Sequence, residues 1–314
     1  MLVHIGYHKA ASTVLQDQIF GGANGIFMPP AEPRHVLVQR FVVPQPMCFD
    51  AAEARAHYDP IRRQAEAEGR VFVLSHERFS GYPPSGGFDS TIIADRLRRS
   101  FPEAKILIVL REQRASILSM YSQYVTDGGD LSLGDYLTPR EPYLKRAPGF
   151  SVEFYRYHRL VNLYRRLFGA ENVLCLVFEE FARDPAGSLA RLYRFLGHDV
   201  APPQTRTQNA KRPASFQVLQ RRVNSWFSQN ELSPGRGLPL AQARRRFGGL
   251  SRHLAPRLTA GLDARLESRM KRLIATRFAD SFGESNSALS EMMGIDLGNY
   301  GYQMKADDTG KDNA

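Results

Sequence analysis

Lys9, Ser12 and Thr13 lie near the start of the chain, in the stretch HIGYHKAAST (residues 4–13), directly after the short apolar run Leu2 to Ile5. The run reads as a buried strand that breaks at Gly6, and the apolar-periodic segment Val14–Phe20 reads as the helix that follows. A strand, a tight loop carrying a lysine and two hydroxyls, and a helix start together make an anion cradle. Backbone N–H groups and the positive end of the helix converge on it. The spacing is not that of the nucleotide-triphosphate loop, whose lysine stands immediately before the final Ser/Thr. Here Lys9 stands three residues before Ser12.

Two further stretches carry chemistry. In KILIVLREQRASILSMYSQY, residues 105–124, a strand ends at Leu110, Arg111 follows, and a helix opens around Gln113 or Arg114. Ser119 comes eight residues after Arg111, about two helical turns on. Ligands of open α/β sheets sit beyond the carboxyl ends of the strands. Arg111 is therefore placed to grip a phosphate as a planar fork, with Ser119 adding a hydroxyl. In VFVLSHERFSG, residues 71–81, His76 and Glu77 close another strand, and either type can accept a proton from a hydroxyl. Neighbours on an extended segment point to opposite sides, so one of the two is expected to face the site.

These residues need a sheet to bring them together. Four apolar runs, MLVHI, RVFVLS, KILIVLR and NVLCLVF, alternate with helical patterns that include Thr91–Ser100, Arg114–Val125 and Phe154–Phe168. Near-continuous apolar strands between helices predict an α/β fold, a central, mainly parallel sheet flanked by helices. The Pro- and Gly-rich interval 21–55 is weakly periodic and reads as an insertion over the sheet edge. DPAGSLARLYRFLG carries helix start and stop signals at Asp184–Pro185 and Gly197. One domain is expected over residues 1–304, with a basic helical C-terminal lobe at 201–280 and a polar, disordered tail at 305–314.

Of the net charge of +10, residues 201–280 hold +12, with sixteen Lys/Arg against four Asp/Glu, so the remainder is close to neutral. Such a region favours an anionic cofactor, substrate or membrane surface, or is a solvated basic face. No nucleic-acid module is recognisable, and aromatics are not interleaved with the arginine runs, so no nucleic acid is expected. The two cysteines, Cys48 and Cys175, lie far apart without metal-type spacing. A reducing, cytoplasmic compartment is expected, with docking to the inner membrane face an option for the basic lobe. No His/Asp/Glu cluster has ligand spacing, so no metal is expected.

Taken together, these stretches resemble the sulfotransferases that use 3′-phosphoadenosine 5′-phosphosulfate (PAPS). IGYHKAAST is similar to their 5′-phosphosulfate loop, and LREQRASILSMY to their 3′-phosphate motif, an Arg and a Ser eight apart. VFEEFARDPAGSLARLYRFLG and the tail ESNSALSEMMGIDLGNYGY also resemble family segments, the latter the ending of bacterial members. Two departures stand out. Ala11 and Ser12 occupy positions where Gly and Thr are usual, and the cradle keeps its shape if position 11 needs no positive φ. Glu112–Gln113 stands where Asn-Pro is commoner, which changes the helix start but not the Arg/Ser pair.

The resemblance implies sulfuryl transfer from PAPS to an acceptor hydroxyl (of a carbohydrate, lipid-linked glycan or small metabolite) with release of 3′-phosphoadenosine 5′-phosphate (PAP). Lys9 and the loop His8, Ala10, Ala11, Ser12 and Thr13 would hold the 5′-phosphate, with Lys9 on the bridging oxygen. Arg111 and Ser119 would hold the 3′-phosphate, and Lys211 and Arg212, in QNAKRPAS, would close over it. Glu77 is preferred as the base, with His76 the alternative. Tyr300 and Tyr302 are expected to pack the C-terminus rather than touch ligand, and Trp226 and Phe227 to be core. The rivals are a kinase on a related P-loop scaffold and a non-enzymatic module binding an anionic polymer. Against the kinase stand the missing Gly-Lys-Ser/Thr ending and the lack of an acidic Mg²⁺ ligand at a strand end.

Overall fold

The computed structural model describes residues 1–21, 25–138, 149–199, 201, 203, 214–227 and 260–305. The chain divides into two compact units. The first comprises Met1–Gln113, Val152–Gln208 and Ser281–Ala314. It contains a five-stranded sheet of β1 (Leu2–Gly6), β2 (Phe27–Met28), β3 (Val71–Ser75), β4 (Lys105–Leu110) and β5 (Val173–Val177), in the order β2-β3-β1-β4-β5. Every pairing is parallel. Parallel strands are covered by helices on both faces, and this explains why the runs are apolar at nearly every position. β1 and β3 are buried throughout.

Four strands lie where the apolar runs predict them. β2 is the exception, and it corrects the reading of 21–55 as an insertion. Two residues inside a Pro- and Gly-rich interval carry no periodic signal. Tertiary pairing makes the strand, with Phe27 in register with Val71 and Met28 with Phe72, while the Phe27 ring packs edge-on against Phe20 at 5.0 Å. The same interval holds the short helix α2 (His35–Phe41) and the start of α3 (Ala51–Ala67), which Asp50 caps by accepting from the Ala52 and Glu53 amides.

Helix α4 (Ser90–Ser100) follows β3, and α5 (Gln113–Thr126) follows β4, within a residue of the expected bounds. The pattern beginning at Phe154 resolves into a 3₁₀ turn, Val152–Tyr155, and helix α7 (His158–Phe168). The short helix α8 (Phe178–Arg183) leaves β5 directly. Asp184 caps α9 (Pro185–Leu196) by accepting from the Gly187 amide, and Gly197, at φ +84°, ends it. Both signals act as their residue types dictate. Cys175 is free and buried in β5, and burial pushes its thiol up to about 12, so it stays protonated.

The second unit comprises Arg114–Ser151 and Asn209–Asp280. Its described parts are α5 from Arg114 on, the short helix α6 (Leu133–Tyr136), α10 (Ala214–Phe227) and the helix Ala260–Arg277. Asn224 donates to the Val125 and Gly129 carbonyls and so closes the end of α5. Within the expected basic lobe only these last two helices and residues 278–280, 201 and 203 are described, and Lys211, Arg212 and the 305–314 tail beyond Lys305 lie outside. Among the described residues no helix is long and apolar enough to cross a membrane.

A buried arginine joins two helices of the first unit. Arg96 of α4 is 3% exposed, and its guanidinium donates to the Phe41, Val42 and Pro44 carbonyls. Phe49 covers its face at 4.9 Å. Those carbonyls lie at the end of α2 and just beyond it, where carbonyls lack helical partners, and a planar fork with several donors satisfies them together. Arg96→Lys keeps the charge and loses the fork. It is expected to lower unfolding free energy by about 2 kcal/mol, as for lost hydrogen bonds to a charged group, measurable by urea denaturation.

Candidate active site

Three neighbouring strands, β3, β1 and β4, end at one edge of the sheet, and each hands over to a segment that the sequence singled out. After β1, the Tyr7 amide donates to the Val109 carbonyl at 2.9 Å, holding the start of the loop against β4. The loop then turns through Lys9 at φ +64° and Ala11 at φ +58°. The condition on position 11 is therefore not met: alanine sits in the left-handed region, where a Cβ costs about 1–2 kcal/mol. Strained loop residues of this kind are held only where the surroundings over-determine them. The helix opens at Ser12 as α1 (Ser12–Val14) and continues as a π-helical stretch, Leu15–Phe20. Ser12 is half-buried and Thr13 exposed.

After β3 come His76 and Glu77, on a 3₁₀ turn, Glu77–Ser80. Gly6, at φ +87°, makes room for this turn: a Cβ there would stand 2.9 Å from Glu77 Cα. The His76 amide donates to the His4 carbonyl at 3.1 Å. His76 Nδ1 accepts from the Arg78 amide, so one ring nitrogen is spent on capping the turn. Farther along, Tyr164 donates to the Phe79 carbonyl, and His8 Nε2 lies 3.1 Å from the Gly81 carbonyl and donates to it. The Arg78–Asp89 ion pair, at 2.8 Å, fixes the segment's outer end.

After β4, Arg111 turns back onto the first loop. Its Nη1 donates to the Lys9 carbonyl at 2.9 Å, its guanidinium lies 4.9 Å from the Phe178 ring centre, and its Nε is buried without a protein partner. Tyr157 donates to the Arg111 carbonyl at 2.9 Å. The anion loop, the carboxylate segment and the arginine are thus tied to one another by direct hydrogen bonds. Ser119 lies on α5 in the second unit and is half-buried.

Sequence reasoning missed a polar network beneath Glu77. His4, in the middle of β1, is fully buried, and its Nδ1 lies 2.7 Å from Ser75 Oγ on β3. Gln16 donates to both the Ser75 hydroxyl and its carbonyl, and Arg34 donates to Gln16. A histidine inside an otherwise apolar strand was the available signal.

Burial pushes His4 and His8 down to about 4 and lowers His76, so all three imidazoles are neutral at pH 7. Burial alone would raise Glu77, but attraction to whichever of His76, His8 and His4 carries a proton, together with a backbone hydrogen bond, outweighs it and holds the carboxyl below the usual glutamate range. An ionised carboxylate among neutral imidazoles, at the same sheet edge as the loop that carries Lys9, can accept a proton. No metal-binding cluster exists among the described residues.

The sheet is parallel, and the loop that carries Lys9 follows its central strand. Residues 91–202 match the model of the sulfotransferase family. The match is confined to this segment, and the fold is the sulfotransferase fold. A sulfotransferase from Alicyclobacillus acidocaldarius is similar over 95% of this chain and 97% of that one, with TM-score 0.52 and 20% identity. The sulfotransferase domain of the Synechococcus PCC 7002 olefin synthase covers less: 64% of this chain and 74% of that one, at TM-score 0.40 and 16% identity. A mouse sulfotransferase complexed with PAP shows TM-score 0.37 and 14% identity, over 71% of this chain and 63% of that one. No curated protein matches the chain.

The buried histidine makes stability depend on pH. Unfolded His4 takes up its proton near 6.5 and folded His4 near 4. Between these values the unfolded state holds more protons, so stability is full above pH 6.5 and falls as pH drops towards 4. Each pH unit between the two values is worth about 1.4 kcal/mol, and His4 accounts for a loss on the order of 3 kcal/mol. Half-buried His8 adds a smaller loss of the same sign. Urea denaturation at pH 7.0 and 4.5 is expected to show His4→Gln losing distinctly less stability than wild type across that interval. Parallel losses would remove His4 as the source.

Proposed function

We propose that the protein transfers a sulfuryl group from PAPS to an acceptor hydroxyl. The observation that carries this reading is the meeting of Lys9, Glu77 and Arg111 at the carboxyl ends of three adjacent strands, within a sulfotransferase fold. The acceptor oxygen attacks sulfur, and the bond from sulfur to the bridging phosphate oxygen breaks. The acceptor proton passes to the Glu77 carboxylate, and PAP leaves. Negative charge develops on the bridging oxygen, where the Lys9 ammonium favours the transition state over the ground state. Ser12, Thr13 and the loop amides hold the 5′-phosphate.

Arg111 holds the 3′-phosphate. Its buried, unpartnered Nε supports this role, because such a donor is costly unless something completes it. Glu77 rather than His76 takes the proton, in keeping with the capping bond that occupies His76 Nδ1. Acceptors in scope are carbohydrates, lipid-linked glycans and small hydroxylated metabolites. A cytoplasmic location, with the basic 201–280 region meeting an anionic membrane face, completes the reading.

Calorimetric titration with PAP and a screen of hydroxyl acceptors with labelled PAPS test the whole. Arg111→Ala is expected to weaken PAP by roughly ten- to a hundredfold, the value of a charge-assisted contact. Unchanged affinity would take Arg111 out of the nucleotide site. Glu77→Gln keeps the shape and removes the basicity. It should lower kcat by about 10²–10⁴-fold with PAP affinity unchanged. Normal turnover in that variant alongside a dead His76→Ala would reverse the two roles.

A further inference from the structure

The short turn that presents Arg111 is held by the C-terminal part of the chain. Residues 111, 112 and 113 are each tied down by a different group. Tyr157 donates to the Arg111 carbonyl. The Glu112 amide donates to Glu179 Oε1 at 3.0 Å, and Tyr302 donates to Oε2 of the same carboxylate. Gln113 and Asn286, both fully buried, exchange two hydrogen bonds through their side-chain amides, Gln113 Nε2 to Asn286 Oδ1 and Asn286 Nδ2 to Gln113 Oε1. Asn286 Nδ2 donates as well to the Gln303 carbonyl at 2.8 Å, and Gln303 Oε1 accepts from the Phe282 amide.

We infer that Asn286, Gln303 and Tyr302 form a lash that positions Arg111 for the nucleotide's 3′-phosphate, an inference that rests on the function proposed above. An arginine fork is productive only when its guanidinium plane is fixed, and the backbone leading to it must be fixed first. A proline at position 113 would set φ without help. Glutamine does not, and the reciprocal amide pair supplies the constraint from 173 residues away. Burying two amides is unfavourable unless they are paired, and here each is matched to the other, so the turn has one arrangement in which its polar atoms are satisfied. Asn286 and Gln113 are positioning residues and act through Arg111.

The test is calorimetric titration of the folded full-length protein with PAP and, in parallel, with adenosine 5′-phosphate, which lacks the 3′-phosphate. Gln113→Leu and Asn286→Leu are each expected to weaken PAP about three- to tenfold and to leave adenosine 5′-phosphate unchanged. The double variant should bind no more weakly than the weaker single. The exchange Gln113→Asn with Asn286→Gln restores the pair and should recover affinity. Wild-type PAP affinity in both leucine variants overturns the lash and leaves the proposed function standing. Equal weakening of both nucleotides also overturns it, as general disturbance. Failure of the wild-type protein to bind PAP overturns the proposed function and the lash with it. Should the leucine variants not fold, Tyr302→Phe removes a single hydroxyl. It is expected to weaken PAP about threefold, and unchanged affinity there overturns the lash.

Discussion

The backbone of Glu77 occupies the space where a side chain at position 6 would lie. Gly6 ends the central strand with φ +87°, and the turn after the neighbouring strand packs directly onto it. The rest of the candidate site follows from this contact. Because β1 stops at Gly6, the chain can swing into the loop that carries Lys9. Because the Glu77 turn sits against that point, a carboxylate and an ammonium-bearing loop share one edge of the sheet. Any side chain at position 6 would meet a Cα atom, which cannot rotate out of the way.

Polar groups buried behind the edge hold this arrangement. Tyr157 and Tyr164 pack in the core through their rings and reach the Arg111 and Phe79 carbonyls with their hydroxyls. Each thereby joins burial of a large ring to the placement of a loop. His4 and Ser75 do the same on the other side, in a pair that Gln16 completes. The low polarity that buries these histidines also keeps them neutral, so Glu77 carries the local charge.

The C-terminal segment belongs to the same scheme. Its described residues add no strand to the sheet, yet Asn286 and Tyr302 reach the turn at residues 111–113 and satisfy groups that would otherwise be buried and open. Tyr302 packs as the sequence implied, and its hydroxyl reaches Glu179 as well.

Four strands, the helix caps at Asp184 and Gly197 and the buried state of Cys175 were legible in the sequence, because each depends on local residue type and periodicity. So were the places of Lys9, His76, Glu77 and Arg111 just beyond strand ends. Phe27–Met28 was not legible as a strand, since two residues carry no period and only pairing with β3 makes them one. The positive φ at Ala11 was hidden too, because alanine shows no preference for it and the surrounding loop imposes it. His4 gave a faint signal whose meaning depended on Ser75, 71 residues away. The sequence by itself determined which residues stand at the strand ends, since backbone periodicity is local. Tertiary structure alone decided which of them meet, because the sheet order β2-β3-β1-β4-β5 sets β3 and β4 on either side of β1, and adjacency across a sheet is a non-local property of the chain.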